Sequence, residues 1–215
     1  MPWRLHRDGK FRSRLGQALG GDFALGDRAW RRILHGLGAG VLLYYVLPPQ
    51  FFVVLPTEAV LLLAFAAVIV LETLRHVAGL ELPTIRPYEQ RRLSSFFFYA
   101  TALVVAVLVF PPAVATVVVL GTALVDPLIG ELRSSPRFRR TYPVLPLVAY
   151  AGLGSLGLVT SFHTPPVAAL ALSGVGAFIA VAVERPKAAW VDDDIAMTLV
   201  PGVVLTLLIL AYPAL

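Results

Sequence analysis

PAVATVVVLGTALVDPLIG (residues 112–130) runs directly into ELRSSPRFRR (residues 131–140). The first segment is apolar except for two threonines and Asp126. It lies close to the roughly 17–20 residues that an α-helix needs to cross the hydrocarbon core of a bilayer. The second segment carries four arginines, and such clusters mark the cytoplasmic ends of spans. An apolar run closed by a basic cluster therefore reads as a transmembrane helix with an oriented end.

Extending the same reading in both directions gives seven apolar stretches, at about 33–48, 52–74, 93–110, 112–130, 143–160, 165–183 and 195–214. Of the 18 Lys and Arg residues, eight precede the first stretch, four fall at 75–92, four at 131–142 and two at 184–194. None is left for the connections near 49–56, 111–112 and 161–166 or for the C-terminus. The expected fold is thus an all-α, polytopic membrane bundle of seven helices, with the N-terminus cytoplasmic and the C-terminus outside. Twelve of the 13 acidic residues gather at the same face, and only Glu58 does not. Both signs of charge meet there, which places any chemistry at that end.

Composition narrows the class. The chain is 58% hydrophobic and 14% charged, with a mean hydropathy of +0.79. A soluble domain carries about 25% charged residues. There is no cysteine, so disulfides and thiolate metal sites are excluded. The net charge of +5 suits contact with an anionic leaflet better than nucleic acid, because the basic residues flank spans. Residues 1–27 form a basic arm without the apolar core of a signal peptide. Phe11, Leu15, Ala18 and Leu19 share one helical face, consistent with a short interfacial helix or a disordered arm. Residues 28–215 form one membrane domain.

Several polar groups stand inside or beside the apolar runs. Asp126 lies about four residues, or roughly 6 Å, inside the expected cytoplasmic end of its span. A charge in a span is costly and usually faces a partner or a wet cavity. Pro127 follows it and removes a backbone donor. Asp192, Asp193 and Asp194 form a second acidic site. Adjacent carboxylates suit Mg²⁺, which takes one or two of them together with substrate phosphates. The same residues also suit the positive end of a helix dipole or an N-cap. Glu72, Arg75 and His76 share a helical face, fit for an internal ion pair or for acid–base work. His35 enters the membrane four residues after Arg31, either packed or poised as a base near neutral pH. Gly36 and Gly40 form a small-xxx-small pair for close helix packing. Arginine guanidinium groups bind phosphate in a bidentate fashion, and with a metal-holding carboxylate they meet both needs of phosphoryl transfer. No phosphate-binding GxxxxGK[ST] loop and no HExxH motif occurs.

In order along the chain, Arg31-Arg32-Ile-Leu-His35, Glu72-Thr-Leu-Arg75, Arg86-Pro-Tyr-Glu89, Val125-Asp126-Pro127-Leu-Ile-Gly130, and Glu184 followed by Asp192-Asp193-Asp194 resemble the motifs of the membrane-bound CTP-dependent lipid kinases. These are the dolichol (polyprenol), phytol and CTP-dependent diacylglycerol kinases. The resemblance implies transfer of the CTP γ-phosphate to the hydroxyl of an isoprenoid alcohol, giving a polyprenyl phosphate carrier for glycan assembly. It implies Mg²⁺ held by Asp126, Asp193 and Asp194. It also implies nucleotide contacts from Arg31, Arg32, Arg86, Glu89, Arg133, Glu184 and Asp192, with Asp126, His35 and Glu72 in the catalytic set. The partners would be CTP from the cytosol, the alcohol from the bilayer and surrounding lipid, without nucleic acid. A lipid cytidylyltransferase and a small transporter or scaffold are the alternatives. A transporter would place more polar residues near mid-membrane and on the outer side.

Overall fold

In a computed structural model of the chain, the described residues are 27–52, 55–78, 89, 92–184 and 192–211. The basic arm, Arg86, Arg91 and the C-terminal end lie outside them. Among the described residues seven α-helices follow one another: α1 (Asp27–Gly38), α2 (Thr57–Val77), α3 (Ser95–Val109), α4 (Pro112–Ser134), α5 (Val144–Phe162), α6 (Pro166–Glu184) and α7 (Asp193–Ala211). Five of them, α2 and α4 to α7, are long and apolar enough to cross a membrane. The chain is an integral membrane protein on that measure. Helix α3 is equally apolar but shorter.

The first apolar stretch folds differently from the expected single helix. The α-helical part ends at Gly38, and Ala39–Tyr45 continues as a 3₁₀ helix. Glycines at 36, 38 and 40 weaken α-helical propensity here, and a 3₁₀ segment is the tighter continuation. A two-stranded antiparallel hairpin, Gln50–Phe52 with Leu55–Pro56, then turns the chain. Helix α2 therefore starts at Thr57, not near 52, and Thr57 anchors its start by donating its hydroxyl to the Pro48 carbonyl at 2.7 Å.

Helix α4 is the axis of the bundle. It packs on α1, α3, α5 and α7, and the face between Val114 and Val125 is buried almost all round. A helix apolar on every side belongs in an interior or a membrane. Pro112 starts it, where a missing backbone N–H costs nothing. Helices α5, α6 and α7 pack in sequence, and α3 closes against α7. Helix α2 is the least buried span and leans on α3. Large apolar side chains point outward on every side, among them Leu63, Val148, Val167, Phe178 and Leu210. An apolar belt of this extent is suited to lipid.

The closest approaches in the bundle need glycine. A Cβ at Gly121 would lie 2.0 Å from the Tyr150 ring, and one at Gly202 would lie 2.1 Å from Phe110. Gly36 and Gly40 face open space, so the expected pair does not pack. The close contact in α1 is at Gly38, where a Cβ would meet the Tyr99 hydroxyl.

Candidate active site

The basic and acidic ends of the helices meet at one end of the bundle. The second half of α1, the end of α2, the start of α3, the end of α4, the end of α6 and the start of α7 are tied there by ion pairs and hydrogen bonds. Three of the expected site residues come together within this end. His35, in the last turn of α1, places Nε2 at 3.3 Å from Asp194 Oδ1 and 3.6 Å from Asp126 Oδ2. One ligand atom from each of the three lies within 4.8 Å of the others. Three separate helices thus contribute one donor each to one point.

The surrounding residues fix this geometry. The Tyr99 ring stacks on His35, with centroids 4.3 Å apart and planes 2° from parallel. Its hydroxyl donates to the His35 carbonyl at 2.6 Å. The absence of a side chain at Gly38 is what lets Tyr99 slide into this position. Asp194 sits in the first turn of α7, and the Asp192 carboxylate accepts from its backbone N–H at 3.2 Å. Asp192 is therefore the residue that caps α7, the part expected of Asp194. Burial, then the neighbouring Asp193 charge, pushes the Asp192 carboxyl above its ordinary value. The Thr198 hydroxyl donates to the Asp194 carbonyl at 2.8 Å and lies 2.9 Å from the Thr122 hydroxyl, tying α7 to α4 just below.

Asp126 is farther from the end of its helix than the sequence reading has it. Helix α4 continues through Pro127 to Ser134, so Asp126 is eight residues from its end, or about 12 Å at 1.5 Å per residue. Its side chain is still one-quarter exposed, so it borders an opening. Asp193 is outside the three-residue group. It is half-buried in the first turn of α7, next to Asp192.

The other expected residues fall into three neighbouring networks. Arg32 pairs with Glu131, joining α1 to the end of α4. Arg133 pairs with Glu184 and donates to the Tyr142 hydroxyl at 2.8 Å, with its guanidinium 4.6 Å from that ring's centre. This clamps α4, α6 and the segment before α5. Arg31 lines a narrow crevice beside His35, together with Glu89. Glu72 receives Arg75 through two hydrogen bonds, at 3.1 and 2.6 Å, and also the Ser94 backbone N–H and hydroxyl, both at 2.8 Å. Arg75 further donates to the carbonyls of Glu89 and Arg92. Glu72 is thus a structural tie between α2 and α3, and the geometry does not give it the catalytic part expected of it. A buried carboxylate with this many donors is well satisfied.

Tyr99, Tyr142, Ser94 and Gly38 were not singled out by sequence. Tyr99 lies inside the apolar run Phe96-Phe-Phe-Tyr-Ala100, where nothing in the pattern separates it from core aromatics. Gly38 was overshadowed by the Gly36/Gly40 spacing.

Comparison with protein-family models, characterised proteins and solved structures found no match for this chain.

The donor set fits a hard divalent cation. Two carboxylates from different helices match the one or two protein carboxylates that Mg²⁺ typically accepts alongside phosphate oxygens. The adjoining imidazole is also a common ligand for Mn²⁺ or other transition ions. It can equally remain a hydrogen-bond partner to the carboxylates or to a bound phosphate. The arginines around this point supply positive charge for an anionic ligand.

Proposed function

We propose that this protein is an integral membrane lipid kinase that transfers the γ-phosphate of CTP to the hydroxyl of an isoprenoid alcohol. The observation that carries the reading is the convergence of His35, Asp126 and Asp194 from three helices at the charged end of the bundle. The ordered motifs that resemble CTP-dependent lipid kinases supply the donor and the acceptor class. In this reading all seven helices cross the bilayer with the N-terminus cytoplasmic. From Ile33 the apolar part of α1 and its 3₁₀ continuation reach about 23 Å, at roughly 1.5 Å per α-helical and 2.0 Å per 3₁₀ residue.

Asp126 and Asp194 would hold Mg²⁺, which when bound neutralises phosphate charge and orients the transferred group. His35, held flat against Tyr99, would orient against that group. Arg31 and Arg32 lie at the mouth of the site, where a nucleotide arriving from the cytosol would pass. Arg133, Glu184 and Tyr142 hold the ends of α4 and α6 in place, and Asp192 fixes the start of α7. Arg86, named by the resemblance as a phosphate contact, remains part of this proposal.

The test is reconstitution in lipid nanodiscs with γ-labelled CTP or ATP and a panel of isoprenoid alcohols. Label in the lipid fraction, dependent on a divalent cation and reduced at least 100-fold by Asp126→Asn, is the expected result. Absence of label in any lipid with either nucleotide would rule the kinase out. Transfer of label to lipid from α-labelled CTP, with the γ-label released as pyrophosphate, would assign the reaction to cytidylyl transfer.

A further inference from the structure

We infer that the hydroxyl of the lipid acceptor seats in the crevice between α1 and α3, against Glu89 and Ser95, with its chain leaving over Leu34 and Phe96. This inference rests on the kinase reading and names where its second substrate binds.

The crevice adjoins the three-residue group because His35 belongs to both. It has room for about one water-sized group, which suits a single hydroxyl and not a nucleotide. Its walls divide by chemistry. Leu34, Phe96 and the Tyr99 ring make one part apolar, and Arg31, His35, Glu89 and Ser95 give it a polar corner. Glu89 is 1% exposed although it stands before the apolar helix α3. A carboxylate that deep is expensive unless its acceptor capacity is used. The Ser95 hydroxyl donates to its Oε1 at 2.8 Å, and Arg75 holds its carbonyl at 3.1 Å. The side chain is therefore anchored at the crevice, where a carboxylate oxygen can accept from an incoming O–H.

The outer flank points to an apolar tail. Leu37, one turn beyond Leu34, is 68% exposed, and Leu93, just before α3, is 40% exposed. Ile33 is exposed beside them. These residues continue the apolar wall outward to the surface that faces lipid. A primary alcohol on a long hydrocarbon chain matches both ends: one hydroxyl at Glu89 and a tail along the α1–α3 seam. The nucleotide phosphates would meet Asp126 and Asp194, and the alcohol would enter from the crevice, so that hydroxyl and γ-phosphate would meet beside His35, which borders both.

The experiment uses the full chain in nanodiscs and a long-chain isoprenoid alcohol carrying a diazirine next to its hydroxyl. After illumination, mass spectrometry locates the adducts. The expected result is adducts concentrated on Leu34 and on Phe96 to Tyr99, falling about tenfold for Leu34→Trp, which fills the crevice. A probe with the hydroxyl replaced by a methyl ether should lose the preference. Glu89→Gln, at a residue the resemblance gives to the nucleotide, should raise the apparent KM for the alcohol about tenfold, and a rise in the nucleotide KM alone would overturn the seat. Adducts spread evenly over the lipid-facing sides of α2, α5 and α6 would overturn the assignment, as would labelling indifferent to the hydroxyl. The map on the unmodified chain decides the matter even if Leu34→Trp fails to fold. Crevice labelling without phosphate transfer to any alcohol would leave the seat standing and remove the kinase reading instead.

Discussion

Asp126 and Asp194 stand on helices that are 68 positions apart in sequence, yet their carboxylates face one imidazole. Removing either charge should weaken divalent binding far more than it weakens the fold, because each position accepts an amide of the same shape. Asp194→Asn is expected to reduce transfer at least 100-fold while the melting temperature of the purified protein changes little. Tyr99 acts through His35, so Tyr99→Phe tests positioning. It removes the bond to the His35 carbonyl and keeps the stack. A cost of about 1 kcal/mol in stability is expected, measured by thermal unfolding in detergent. Gly38→Ala should cost more, about 1–3 kcal/mol, because the added methyl meets the Tyr99 hydroxyl and one of them must move. Asp126 and Asp194 were legible in sequence because ionisable residues rarely enter apolar runs without a purpose. Their convergence with His35, and not with Asp193, was not legible. It depends on the rotation of three helices, and a one-residue shift turns a helical side chain by about 100°.

At the scale of elements, the ties between helix ends decide whether the charged rim holds its shape. The Glu72–Arg75 pair is the most buried of these, with side chains 6% and 4% exposed. Removing one partner leaves the other desolvated, so Glu72→Ala should cost about 3–5 kcal/mol. Replacing both by apolar residues of similar size should cost markedly less, although the Ser94 N–H then needs another partner. The comparison of single and double variants by chemical unfolding checks both statements. It also separates structure from catalysis, since a Glu72 engaged only in this tie should leave the nucleotide KM unchanged in variants that still fold. The extents of α3, α5 and α6 were legible to within two residues, because apolar runs bounded by Pro111, Pro143 and Pro165 leave little choice. The end of α4 was not, because Glu131 and Arg133 looked like loop residues. They continue the helix for another turn and are satisfied by Arg32 and Glu184. The 3₁₀ course of Ala39–Tyr45 was also hidden, since 3.6-residue and 3.0-residue periods cannot be told apart in a uniformly apolar stretch.

At the scale of the whole molecule, charge asymmetry and apolar length set the architecture before any single contact is considered. The basic residues at the described rim include Arg31, Arg32, Arg75, Arg92, Arg133, Arg137, Arg139 and Arg140, and the opposite end carries His163 and Glu58. The expectation that this rim is cytoplasmic can be read directly, because the chain has no cysteine of its own. A cysteine placed at Ser135 should react with a membrane-impermeant maleimide only after the cytoplasmic side is opened, and one at Thr164 should react in intact cells. Equal reactivity at both positions, or the reverse pattern, would overturn the orientation. The central claim is that one divalent cation binds between α1, α4 and α7, and Mn²⁺ paramagnetic resonance titration of the purified full chain tests it most directly. The expected result is about one tight site per chain, weakened at least tenfold by Asp126→Asn and by Asp194→Asn and unaffected by Glu58→Gln. Equal Mn²⁺ affinity in all four proteins would contradict it.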